Sequence, residues 1–208
     1  MTTPFIIYAL PRSRTAWLSK FLSYGEWTCY HEQTAYANSL EEVSAFFSHP
    51  HTGTAETVAT TGRALLKHHI PGLKEVVILR PIEEVIRSAN NIYLGGEFVL
   101  DQDILRKGLI RAERELRRIS EDKNVLTVKY EDLNKEDACV QVFEFCLPYK
   151  FDKDWWESLR YNNIQVDTLE LLRYRRENIG AFDAFKKHCR DEMKKMIRNN
   201  ISFQKAVA

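Results

Sequence analysis

Arg12, Ser13, Arg14 and Thr15 follow one another after the apolar run 5–10 and Pro11, at the head of a stretch with helical patterning. Two guanidinium groups and two hydroxyls at a helix N-terminus suit an anion, because unpaired backbone N–H groups, the helix dipole and charge-assisted donors all favour negative charge there. A serine or threonine cap with solvated arginines is the plainer account of the same residues. The stretch is not a Walker A loop. The pattern G-x-x-x-x-G-K-[ST] is absent, Arg14 stands where a glycine-rich loop would be permissive, and no Lys-Ser pair follows.

Arg80 closes a second apolar run, 75–79, with Pro81 next and Ser88 further along the helical stretch 83–91. Arg80 and Ser88 together can hold one phosphate; a surface Arg-Pro turn with an unrelated helix serine is the alternative. The run ends in arginine rather than a Walker-B aspartate, so the usual Mg²⁺ ligand is missing and the site suits a donor that reacts without it. A third run, 125–128, leads into Lys129-Tyr130-Glu131-Asp132-Leu133, where Asp132 reads as a cap or a salt-bridge partner.

Strand 5–10 reads as buried on both faces, 75–79 and 125–128 as further buried strands, and 28–30 as a short further strand. Helices are expected over 15–24, with Gly25 as its stop, and over 40–48, 61–69, 83–91, 101–120, 137–147 and 154–160. Residues 50–53 read as a loop. Further helical patterning covers 169–176 and 182–199, around a loop at 178–180. Short apolar strands alternating with helices imply an α/β fold whose central parallel sheet is flanked by helices on both faces, with ligands at the carboxyl ends of the strands. The 208 residues fit a single domain, 1–208.

The net charge of +1 makes the chain as a whole no polyelectrolyte, so neither nucleic acid nor an acidic membrane is an expected partner and any anion site is local. No segment reaches the roughly 20 apolar residues that span a bilayer. The apolar residues 5–10 are too few for a signal peptide and no basic stretch precedes them, so a cytoplasmic location is expected. Cys29, Cys139, Cys146 and Cys189 form no C-x-x-C pair and read as buried free thiols. His49, His51, His68 and His69 lack an evident third ligand, and no metal is expected.

Four segments carry a resemblance. Leu10-Pro11-Arg12-Ser13-Arg14-Thr15-Ala16-Trp17-Leu18 resembles P-K-S-G-T-T-W of the PAPS-dependent sulfotransferases, which binds the 5′-phosphosulfate. Arg80-Pro81-Ile82-Glu83-Glu84-Val85-Ile86-Arg87-Ser88 resembles R-N-P-x-D-x-x-x-S, whose Arg and Ser hold the 3′-phosphate. Tyr130-Glu131-Asp132-Leu133 is similar to Y-E-D-[LM], and Arg175-Arg176-Glu177-Asn178-Ile179-Gly180-Ala181-Phe182 to R-K-G-x-x-G-x-W, a loop that closes over the 3′-phosphate. The segments stand in family order. Arg12 for lysine, Arg14 for glycine, Glu177 for glycine and Phe182 for tryptophan depart from the pattern, and the chain looks more like a short bacterial or phage-type branch.

The resemblance implies a P-loop-like domain that takes PAPS as co-substrate, leaves PAP as product, and moves a sulfuryl group in line to a hydroxyl or amine without metal. Arg12 would stabilise the bridging oxygen, with Ser13, Arg14, Thr15 and Ala16 at the 5′-phosphate. Trp17 would stack on adenine or sit in the core. Arg80, Ser88, Arg175, Arg176 and Gly180 would hold the 3′-phosphate. His31 and Glu32, after the short strand, are the candidate bases; neighbours in an extended segment point opposite ways, so one of them at most faces the donor, and Glu32 is preferred. The acceptor is a small molecule, or less plausibly a peptide or saccharide, with residues 29–72 and the region of Gly95-Gly96 expected to line its pocket. Competing readings are a P-loop nucleotide or small-molecule kinase and a non-catalytic protein that binds PAP or another phosphonucleotide.

Overall fold

The structure, a computed structural model, describes residues 3–164 apart from 36, 38, 58, 94–101 and 163. At its centre lies β1 (Phe5–Ala9), whose five residues are all buried, as the uninterrupted apolar run requires. Next to it runs β4 (Lys74–Leu79), the second such run. The other three strands are β2 (Thr28–His31), β3 (Thr52–Glu56) and β5 (Val125–Lys129), and the sheet has the order β2-β3-β1-β4-β5 with every pairing parallel.

Two strand expectations are corrected. Residues 50–53 are not simply a loop, because β3 begins at Thr52 and is buried along its whole length between β2 and β1. Its sequence, Thr-Gly-Thr-Ala-Glu, has no apolar run; small side chains let it lie between neighbours that supply the bulk. Gly53 is required there, since a Cβ would run into the ring of Phe5 on β1. β5 is, among the described residues, an edge strand and only partly buried: Val125 and Val128 are inside, Leu126 is half-buried, and Thr127 and Lys129 are exposed.

Helices cover both faces, as expected. On one face α1 (Thr15–Phe21), α6 (Glu136–Cys146) and α7 (Lys153–Arg160) pack Trp17, Phe21, Phe143 and Trp156 against Phe5, Ile7, Val76 and Ile78. On the other, α2 (Leu40–Ser48), α3 (Arg63–His69), α4 (Ile82–Tyr93) and α5 (Gln102–Ser120) pack Val43, Leu66, Val85 and Leu116 against Ile6, Tyr8 and Val77. α2 spans the expected residues, started by Ser39, whose Oγ accepts from the Glu42 amide. α1 is shorter than expected and stops at Phe21, ahead of a turn in which Gly25 takes φ +60°.

An ion network ties α3 to the sheet. Arg63 meets Glu75 through Nε at 2.8 Å and Nη2 at 2.7 Å, and Nη2 also reaches Asp122 at 2.5 Å. Burial lowers the arginine's pKa, but the bonds to Glu75 and Asp122 outweigh it and raise the value overall. Cys29, Cys139 and Cys146 are buried free thiols, as expected. Arg175, Arg176, Gly180, Cys189, Gly95-Gly96 and the helical patterning over 169–176 and 182–199 lie outside the described residues. Among the described residues no helix is long and apolar enough to cross a membrane.

Candidate functional site

The loop between β1 and α1 takes its shape from two arginines in the left-handed region, Arg12 at φ +66° and Arg14 at φ +63°, on either side of Ser13. Alternation of this kind turns successive N–H groups to one side and forms an anion-binding concavity. Ser13 itself is fully buried, and its Oγ has no hydrogen-bond partner among the described residues. A buried hydroxyl left in that state costs free energy unless something answers it, and a bound oxyanion would.

Three residues expected at the donor converge. Arg12 donates from Nε to the Oγ of Ser88 on α4 at 3.3 Å. Arg80, at the end of β4, donates from Nη1 to the carbonyl of Arg12 and lies over the ring of Tyr130 with its Cζ 3.9 Å from the centroid. It also pairs with Glu84 at 3.4 Å. Two guanidinium groups and a hydroxyl from β1, β4 and α4 are thus collected at the carboxyl edge of the sheet, where parallel α/β sheets bind their ligands.

Two other residues of the motif, Arg14 and Trp17, are engaged with the protein itself. The guanidinium of Arg14 turns away from the loop's concavity. It donates to the carbonyl of Leu133 at 3.1 Å, to Oδ1 of Asn134 at 2.7 Å and to the carbonyl of Arg160 at 3.1 Å, and it lies over the Trp17 ring at 4.3 Å. Burial lowers its pKa. Trp17 is 1% exposed, stacks on Phe21 and donates from Nε1 to the carbonyl of Leu159 at 2.9 Å. Of its two expected uses it has the core one, with no face open to a base.

His31 and Glu32 diverge. The Nε2 of His31 lies 3.0 Å from the Oγ1 of Thr15, at the start of α1. Glu32 adopts φ +58°, is 2% exposed, and accepts from the Thr57 hydroxyl at 2.5 Å. Next to it lies a carboxylate that sequence reasoning passed over, Glu56 at the end of β3. Its Oε1 accepts from the Thr34 amide at 3.0 Å and the Thr54 hydroxyl at 2.6 Å, and its Oε2 from the Thr34 hydroxyl at 2.5 Å. Burial, followed by the charge of Glu32, pushes Glu56 up to about 7, against the lowering pull of these bonds.

No family model matches the chain, and no curated protein matches it in sequence. Among solved structures, the mouse sulfotransferase SULT7A1 complexed with PAP aligns with a TM-score of 0.52 at 12% identity, over 76% of this chain and 63% of that one. The chain therefore spans less than two thirds of that neighbour's length. The sulfotransferase domain of the Synechococcus PCC 7002 olefin synthase aligns with a TM-score of 0.56 at 13% identity, over 81% of this chain and 83% of that one. The fold is that of the sulfotransferases.

In this sulfotransferase fold the ends of β1 and β4 carry the arginines, and the ends of β2 and β3 carry the carboxylates. Glu56 does not stand out in the sequence because β3, which carries it, has no apolar run. A signal existed: Thr52, Thr54 and Glu56 alternate with small residues after the Pro50-His51 turn, and a sheet covered on both faces needs a strand between the helices 40–48 and 63–69.

Proposed function

We propose that the chain is a sulfotransferase that takes PAPS and transfers its sulfuryl group to a hydroxyl or amine acceptor, releasing PAP. The observation that carries this reading is the convergence of Arg12, Arg80 and Ser88 at the strand ends, beside a loop whose buried Ser13 hydroxyl has no partner among the described residues. A donor with phosphate at two positions of its ribose answers both the loop and the Arg80–Ser88 pair.

The donor supplies the sulfuryl group; the residues do the rest. Arg12 keeps its charge at any working pH, so it stabilises the leaving oxygen electrostatically and gives up no proton. Ser13, Thr15 and the loop N–H groups hold the 5′-phosphate, and Arg80 with Ser88 holds the 3′-phosphate. Arg175, Arg176 and Gly180 keep their place in the proposal as a loop over the 3′-phosphate. For the acceptor's proton the preference passes from Glu32 to His31, because the imidazole touches Thr15 at the loop while Glu32 is buried against Thr57. The PAP in the mouse neighbour makes PAP the first ligand to test.

A magnesium-dependent nucleotide kinase has one observation in its favour. β3 lies beside β1 and ends in a carboxylate, Glu56, so a candidate magnesium ligand stands at the end of β3 where β4 offers none. Both oxygens of Glu56 are taken by Thr34 and Thr54, and burial holds its proton up to neutral pH, the opposite of what a hard cation requires.

Thermal stabilisation by PAP and by ATP, each with and without Mg²⁺, separates the two. PAP alone is expected to raise the melting midpoint; stabilisation only by Mg-ATP would sink the sulfotransferase reading. Labelled PAPS with an acceptor panel then distinguishes an enzyme from a non-catalytic binder. In that assay His31→Ala is expected to abolish transfer while PAP binding survives, and Glu32→Gln to weaken it less.

A further inference from the structure

Arg14 occupies a backbone conformation that glycine adopts freely and arginine does not. Something must hold it there. Its guanidinium spends three hydrogen bonds on two other segments: the 3₁₀ turn Tyr130–Asn134 after β5, through Leu133 and Asn134, and the end of α7, through Arg160. Arg160 closes the triangle by donating from Nη2 to the carbonyl of Asn134 at 3.0 Å. The same turn carries Tyr130, on whose ring Arg80 lies, and Arg80 returns to the loop at the carbonyl of Arg12. The loop is therefore gripped at both of its left-handed residues by groups that meet on one turn.

We infer that Arg14 is a positioning residue, a tether that fixes the loop between β1 and α1 to the Tyr130–Asn134 turn and α7, rather than a ligand of the donor. It acts through the loop: with the tether in place, Arg14 stays left-handed, the N–H groups around Ser13 stay turned to one side, and Arg12 stays against Ser88. Its consequence for nucleotide affinity rests on the proposed function; its consequence for the loop does not.

The two roles for Arg14 predict opposite results for Asn134→Ala, a change at an exposed residue that removes the 2.7 Å bond. A guanidinium that binds phosphate would be released toward it, leaving PAP affinity unchanged or improved. A tether would be loosened, and PAP affinity falls about threefold. Arg14→Gly removes the whole tether while easing the backbone, and weakens PAP about tenfold. The double variant is no weaker than Arg14→Gly alone, since Asn134 acts through Arg14.

These constants are measured by calorimetric titration of PAP into the whole chain, with amide exchange followed in the same proteins. Exchange is expected to quicken at Ser13 and Thr15 and to stay unchanged in β1 and β4, which a general loss of stability would not produce. Arg14→Gly binding PAP as tightly as the unaltered chain would overturn the tether, as would additive losses or unaltered exchange in the loop. Should Arg14→Gly fail to fold, Asn134→Ala decides alone by the same two readouts. If the unaltered chain does not bind PAP, the proposed function falls, and the exchange measurement still judges the tether.

Discussion

The Nε of Arg12 meets the Oγ of Ser88 at 3.3 Å, joining the loop after β1 to α4 across 76 positions of sequence. The contact sets the two proposed phosphate positions side by side at the edge of the sheet, Arg12 at the loop end and Ser88 at the Arg80 end.

Arg12→Ala is expected to slow sulfuryl transfer about 100-fold or more, the usual cost of removing a group that stabilises developing charge. Ser88→Ala should weaken PAP about three- to tenfold, the worth of one hydrogen bond to a charged group. Single-turnover rates and PAP titration check the pair. Unaltered PAP affinity in Ser88→Ala would remove Ser88 from the site.

Arg80 uses its planar fork twice, on the carbonyl of Arg12 and on the ring of Tyr130. Lysine keeps the charge but cannot lie flat on a ring and reach sideways at once. Arg80→Lys is accordingly expected to lose about tenfold in PAP affinity, and Tyr130→Leu about threefold through the lost cation–π contact. Equal affinity in Arg80→Lys would show that charge alone suffices.

Glu56 is raised to about 7 by burial and by the charge of Glu32, with Tyr8 opposite it in the sheet register. Its folded pKa exceeds its unfolded value of 4.5, so the folded state binds the extra proton between those limits. Stability from this group is fully present below pH 4.5 and is lost as pH rises through 7, by an amount on the order of 1–3 kcal/mol. Glu56→Gln keeps an acceptor for Thr34 and Thr54 and cannot ionise. Its melting midpoint should therefore exceed that of the unaltered chain at pH 8 and differ little at pH 5. Parallel melting curves across that range would show that Glu56 does not titrate there.

The Arg63 network behaves in the opposite sense. Burial pushes Asp122 up, but hydrogen bonds from Arg63 and the Asn124 amide, with Lys67 nearby, hold it down to about 2. That stability is present above the unfolded value of 3.8 and lost as pH falls through about 2. Arg63→Ala strips the buried Glu75 of both guanidinium bonds, leaving it Lys67 at 3.8 Å, and is expected to cost about 3 kcal/mol in urea unfolding. Arg63→Met together with Glu75→Leu should recover much of this loss.

The legible parts of the chain were those where one physical signal dominates. Residues 5–9 and 76–79 are central because an apolar run with no alternation needs cover on both faces. Arg12, Arg80 and Ser88 could be grouped because each stands at or just past a strand end. Residues 52–56 gave no hydrophobic signal, since their burial is imposed by Phe5 and by the Thr54–Glu56 hydrogen bonds. Motif alignment set Arg14 at the phosphate, whereas its long side chain reaches partners 119 to 146 positions away, a distance that no local pattern encodes.

β2 has one neighbour in the sheet, β3, which is synthesised after it. Until residues 52–56 slot in beside β1, the segment bearing His31 and Glu32 has no strand to pair with, while β1 and β4 can already meet. Assembly of the candidate site is thereby a late folding event, because β1 and β4 are drawn together by burial of their apolar side chains, a drive that residues 52–56 lack. Pulse-labelled refolding should find the amides of Tyr30 and His31 protected after those of Ile7 and Val77; simultaneous protection would contradict this order. The least hydrophobic strand in the sheet is thus the step that brings His31 and Glu32 to the arginines.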